Sequence, residues 1–163
     1  MNTRHLEQSR TFPVSVEAAF HPVLTVPLPR IFGHRYLAIA PIVDVTGQEG
    51  EWGSAVGQTR TIKLSDGGTM LETLTVIDQP NRFGYTIGDV KGMMKPLVAA
   101  ASGLWSFEPE GDGVRITWSW DVTPTKYLGR AAMPVFAKLM NGEMTLPVSA
   151  SVPVMAPVEV TMS

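Results

Sequence analysis

The segment Val114, Ile116, Trp118, Trp120, Val122, interleaved with Arg115, Thr117, Ser119 and Asp121, constrains this chain more than any other. Successive side chains of a strand point to opposite faces, so this alternation predicts a strand with one buried face and one wet face. Similar period-2 runs precede it: Tyr36 to Thr46, Thr59 to Leu64, Met70 to Ile77, Phe83 to Asp89 and Val98 to Phe107. Turn-forming residues separate them, among them Ser65-Asp66-Gly67-Gly68, Asp78-Gln79-Pro80-Asn81 and Pro109-Glu110-Gly111-Asp112-Gly113, with a looser connection from Lys91 to Pro96. Runs spaced in this way predict an antiparallel meander.

The flanks follow other rules. Leu6 to Val14 reads as a strand, and Ser15 as the N-cap of a helix with Glu17 in its first turn, where a carboxylate favours the helix dipole. His21-Pro22 limits that helix, because Pro lacks a backbone donor, and a second short helix is expected from Pro27 to Gly33. After Pro124 the apolar spacing becomes helical, through Tyr127, Leu128, Ala131, Ala132, Val135, Phe136, Leu139 and Met140 to Glu143, with Pro134 as a kink. From Leu146 to Ser163 three prolines and a single charge, Glu159, predict an extended apolar tail. The fold class is α+β: an antiparallel sheet, two short helices after its first strand, and a long C-terminal helix packed on it. Residues 1–145 form one domain in this reading and 146–163 a tail.

A chain of 163 residues is long enough for one core. It carries 13 Lys and Arg against 15 Asp and Glu, a charged fraction of 17%, and its basic residues are scattered, so no footprint for nucleic acid exists. The absence of cysteine excludes disulfides, thiolate metal sites and thiol nucleophiles. His5, His21 and His34 lack metal-ligand spacing, Gly53-Ser54-Ala55-Val56-Gly57 does not place its Ser as a nucleophile elbow does, and no phosphate-cradling loop occurs. Neither a metal nor a cofactor is expected. The polar segment Met1 to Arg10 has no apolar h-region and no run is long enough to span a membrane, so a cytoplasmic location is expected.

Strand phase singles out two charges. If Ile62 and Leu64 face inward, so does Arg60; if Met70 and Leu74 face inward, with Val76, so does Glu72. With Ser65 opposite Thr69, Leu64 would pair with Met70, Ile62 with Glu72, and Arg60 would lie one diagonal step from Glu72. A lone buried charge is prohibitively costly, so the two should meet each other, water or a polar ligand. The same phase puts Phe83, Tyr85 and Ile87 inward, then Trp105 and Phe107, and sets Gly103 and Ala101 opposite Trp118 and Trp120 if Phe107 faces Val114. The outcome is an aromatic wall, which equally describes an ordinary core.

The entry Phe12-Pro13-Val14-Ser15-Val16-Glu17-Ala18-Ala19-Phe20, the stretch Val56-Gly57-Gln58-Thr59-Arg60 through Leu64-Ser65-Asp66-Gly67, and Leu71-Glu72 resemble the START/Bet v 1-like (SRPBCC) superfamily, within it the polyketide cyclase/dehydrase-like branch. Asp78-Gln79-Pro80-Asn81-Arg82-Phe83-Gly84-Tyr85 and Gly113-Val114-Arg115-Ile116-Thr117-Trp118 extend the resemblance. It implies a helix-grip fold, in which a curved sheet wraps the C-terminal helix around a hollow for lipids, sterols, polyketides or other apolar molecules. It further implies that Arg60, Glu72, Tyr85, Trp105, Phe107, Trp118 and Trp120 line that hollow with Met133, Phe136 and Met140 of the helix. Related chains usually continue their last helix to the end, whereas Leu146-Pro147 stops it here.

Three functions remain open at this point. One is binding of a small, largely apolar molecule whose polar end is oriented by Arg60 and Glu72. Another is a metal-free cyclase or dehydratase with Glu72 as general base and Arg60 or Tyr85 stabilising an enolate oxygen. The third is a protein-interaction module in which the tail from Leu146 to Ser163 crosses to a second copy of the chain.

Overall fold

The structure is a computed structural model, which describes residues 3–31, 40–96 and 98–125. Its elements are, in chain order, β1 (Arg4–Phe12), α1 (Val16–Thr25), α2 (Leu28–Ile31), β2 (Ile42–Thr46), β3 (Thr59–Leu64), β4 (Thr69–Asp78), β5 (Arg82–Lys91), β6 (Val98–Glu110) and β7 (Gly113–Pro124). The strands make one seven-stranded sheet in the order β1-β7-β6-β5-β4-β3-β2. All neighbours are antiparallel, and β1 closes the meander by pairing with β7 from Arg4↔Val122 to Phe12↔Val114. Bulges bend the sheet, at Thr69/Leu71 and Leu74/Val76 between β4 and β5 and at Val98/Ala100 between β6 and β7.

The N-terminus of α1 forms as its sequence dictates: the Ala18 amide donates to Ser15 Oγ at 3.1 Å, and Glu17 lies in the first turn. The helix does not stop at Pro22 but runs through it to Thr25. Pro22 removes one backbone bond, yet Val23 and Leu24 beyond it are buried, and Thr25 Oγ1 donates to the His21 carbonyl at 2.9 Å. Burial of that last turn outweighs the lost bond. The expected strand from Tyr36 begins at Ile42 among the described residues. The expected C-terminal helix, with Met133, Phe136 and Met140, and the tail from Leu146 lie outside the described residues.

Two registers differ from expectation by two residues. At the β3–β4 hairpin Leu64, not Ser65, closes the three-residue loop: its amide donates to the Gly68 carbonyl at 2.9 Å, and the Gly67 amide donates back to Leu64 at 3.1 Å. Gly67 adopts φ +87°, open to glycine at little cost. Arg60 therefore sits directly opposite Glu72 rather than diagonal to it. Likewise Phe107 faces Ile116, so Trp105 faces Trp118 and Gly103 faces Trp120. Val76 also departs from expectation. The bulge after Leu74 reverses the phase of β4, so Ile77 packs into the core opposite Phe83, and Val76 faces the other side against Gly84.

Two packed regions result. Under α1, Phe20 meets Phe83 and Phe107 at ring distances of 5.7 and 5.2 Å, with Val114 and Ile116 fully buried beneath. Toward the other end, Ile62, Leu64, Ile87, Val90, Met94, Val98 and Val122 form a second cluster. The candidate site lies where the two meet.

Candidate functional site

A cavity of about 140 Å³ opens on the concave face of the sheet. One water needs roughly 10–15 Å³ on this scale, so the space exceeds a few trapped waters. Its walls are apolar: Val23 and Leu24 of α1, Ile62 and Leu64 of β3, Ile87 and Val90 of β5, and Trp105, Trp118 and Trp120 of β6 and β7. Arg60, Glu72 and Tyr85 break that lining.

Arg60 and Glu72 are the charged residues buried in this wall, at 7% and 4% exposure. Arg60 Nε donates to Glu72 Oε2 at 2.5 Å, across the register that sets them face to face. The guanidinium is roofed by the Trp52 ring, 3.9 Å from its centroid, an attractive arrangement for a desolvated cation. Burial pushes the Glu72 carboxyl above its ordinary range, and the attraction of Arg60 only partly opposes this.

Trp52 reaches Arg60 because Gln58 knots the loop between β2 and β3. The Gln58 side-chain oxygen accepts from the amides of Gly53 and Ser54 at 3.0 and 3.2 Å, and its NH₂ donates to the carbonyls of Glu49 and Glu51 at 2.8 and 2.9 Å. The side-chain amide is thereby fully used. Gly53 completes the fold-back with φ +99°, and a Cβ there would lie 2.5 Å from Leu24 Cδ2.

Tyr85 is the third polar group. Its hydroxyl oxygen accepts from Trp120 Nε1 at 2.7 Å and from Trp118 Nε1 at 3.2 Å. To reach both, the phenol crosses Gly103, where a Cβ would stand 2.3 Å from Tyr85 Cζ. Trp118 in turn stacks on Trp105 at 4.8 Å and meets Trp120 edge-on at 5.3 Å. Burial raises the Tyr85 hydroxyl far above the usual phenol value, against the pull of the indole donors, so it remains protonated.

The structure thus brings together Arg60, Glu72, Tyr85, Trp105, Trp118 and Trp120 around one space. Phe107 does not join them; it is 1% exposed and packs beneath α1, because the register places it beside Phe20 and Phe83. Met133, Phe136 and Met140 lie outside the described residues. Sequence reasoning missed Trp52 and the role of Gly103 beneath Tyr85. The available signals were a tryptophan in a loop otherwise rich in Gly and Glu, and a glycine inside a strand. Among the described residues no group of His, Asp and Glu could hold a metal ion, and no helix is long and apolar enough to cross a membrane.

The curved antiparallel sheet with a helix seated on it defines a Bet v 1-like protein of the SRPBCC superfamily. Within that class, the chain belongs to the family described as polyketide cyclase / dehydrase and lipid transport, whose profile matches residues 3–149. Similar solved structures include Ara h 8.0201, 18% identical, covering 91% of this chain and 99% of that one with a TM-score of 0.63. Truncated norcoclaurine synthase from Thalictrum flavum is 15% identical, with 95% and 96% covered and a TM-score of 0.68. Major latex-like protein 151 from Panax ginseng is 16% identical, with 93% and 99% covered and a TM-score of 0.64. Identities this low show a shared fold alone. Comparison with curated proteins finds no significant match.

Proposed function

We propose that the protein binds a small, largely hydrophobic molecule in the cavity between β3–β7 and α1, with its polar end directed to the polar groups of the wall. The observation that carries this reading is the Arg60–Glu72 pair, buried where the strand alternation otherwise supplies apolar side chains. A cavity with an apolar wall and a few converging polar groups is the usual form of a small-molecule site. Bet v 1-like proteins bind hydrophobic ligands, and norcoclaurine synthase from Thalictrum flavum has been solved with dopamine and hydroxybenzaldehyde. In this reading the helix expected from Tyr127 to Glu143 supplies the facing wall, with Met133, Phe136 and Met140 toward the ligand.

The test is native mass spectrometry of freshly purified protein, followed by titration with 8-anilinonaphthalene-1-sulfonate and its displacement by small aromatic compounds. Saturable one-to-one binding with dissociation constants in the micromolar range is expected. A protein that takes up neither the dye nor any aromatic competitor does not have this function.

A further inference from the structure

We infer that the cavity selects molecules bearing a hydrogen-bond acceptor of the carbonyl class, a ketone, aldehyde or ester, and that the Tyr85 hydroxyl is the donor that fixes it. The inference rests on the binding function proposed above and names its ligand class.

A phenol oxygen has one proton to give and lone pairs to accept with. Here the accepting side is taken by the indole N–H groups of Trp120 and Trp118, at 2.7 and 3.2 Å. Two donors converging on one oxygen turn the hydroxyl proton away from them. Among the described residues the hydrogen bonds at this oxygen are the accepted ones, the Glu72 carboxylate acts on the hydroxyl from the same wall, and Tyr85 lines the cavity. The hydroxyl therefore enters the cavity as a donor only, and donors already bonded to its oxygen strengthen the bond it gives. A ligand atom with lone pairs satisfies it; a ligand N–H or C–H at the same place leaves a buried proton unmatched.

Arg60 Nε is bonded to Glu72 Oε2 and Trp52 covers the guanidinium, so the donors left on Arg60 are its terminal N–H groups, and the Tyr85 signal described below tells the two donors apart. Burial keeps the phenol protonated at all ordinary pH values, so its donor role does not switch with pH.

The test compares two probes of similar shape, 2-acetylnaphthalene and 2-isopropylnaphthalene, by isothermal titration. The ketone is expected to bind wild type at least several-fold tighter than the hydrocarbon. In Tyr85→Phe that preference is expected to shrink. The infrared carbonyl stretch of the bound ketone should lie below its value in hexane. Because the chain has three tyrosines, labelling tyrosine with ¹³C at Cζ gives a short spectrum in which the Tyr85 signal moves further with the ketone than with the hydrocarbon. This wild-type measurement decides the matter even if Tyr85→Phe does not fold. Equal affinities with an unshifted carbonyl overturn the inference and leave hydrophobic binding intact. A lowered carbonyl stretch with an unresponsive Tyr85 signal assigns the donor elsewhere and overturns it too. Binding of neither probe removes the proposed function, and this inference with it.

Discussion

At the scale of single residues, the chain spends its most expensive desolvation on Arg60 and Glu72. Removing one partner strands the other, which typically costs about 3–5 kcal/mol. Arg60→Met is therefore expected to lose stability in that range at neutral pH by urea denaturation, and to recover part of it in mildly acidic buffer, where Glu72 takes up a proton. Wild type itself should show the same sign. Because folding raises the carboxyl above its ordinary 4.5, the folded state binds more protons than the unfolded one between 4.5 and the folded value. Stability consequently falls as pH rises through that window and is level above it, a slope that Glu72→Gln should remove. Both residues were legible in the sequence, since alternation marks any charge on an apolar phase. Trp52, which roofs Arg60, was not: its position follows from four hydrogen bonds of Gln58 in a loop without period.

At the scale of elements, that loop works as a unit. Gln58→Ala is expected to cost about 1–3 kcal/mol, to speed amide exchange at Gly53 and Ser54, and to expose Trp52 to aqueous quenchers. Unchanged exchange and quenching would show that the loop is held by the burial of Trp52 alone. The registers show where sequence reading stops at this scale. A slip of one residue turns every side chain to the wrong face, whereas a slip of two preserves all faces. Burial patterns therefore specify phase but do not distinguish the expected Ile62↔Glu72 pairing from the observed Arg60↔Glu72 pairing. The turn decides: with Gly67 at positive φ the loop closes on Leu64 and Gly68. Pro22 illustrates the converse, a strong local signal overridden because the turn beyond it is buried by packing.

At the scale of the whole molecule, one sheet face does two jobs. Under α1 it is a filled core around Phe20, Phe107 and Ile116; beyond Tyr85 it walls a space. Alternation could say which side chains turn inward, but not whether they fill what they face, because that depends on sheet curvature and on which small residue meets which large one. Here Gly103 meets Trp120 and is covered by Tyr85, while Ala101 meets Val122 and leaves room. The division predicts opposite responses to two substitutions of aromatic size. Phe107→Ala should cost about 3–5 kcal/mol by urea denaturation and leave dye affinity unchanged within twofold, because the vacated volume lies under α1. Ala101→Phe adds volume to the cavity itself, so it should abolish dye binding with little loss of stability, the new ring being buried in existing space rather than forced into a packed core. Weakened dye binding in Phe107→Ala would mean that the two regions are one continuous core, and intact binding in Ala101→Phe would place the dye on another surface of the protein.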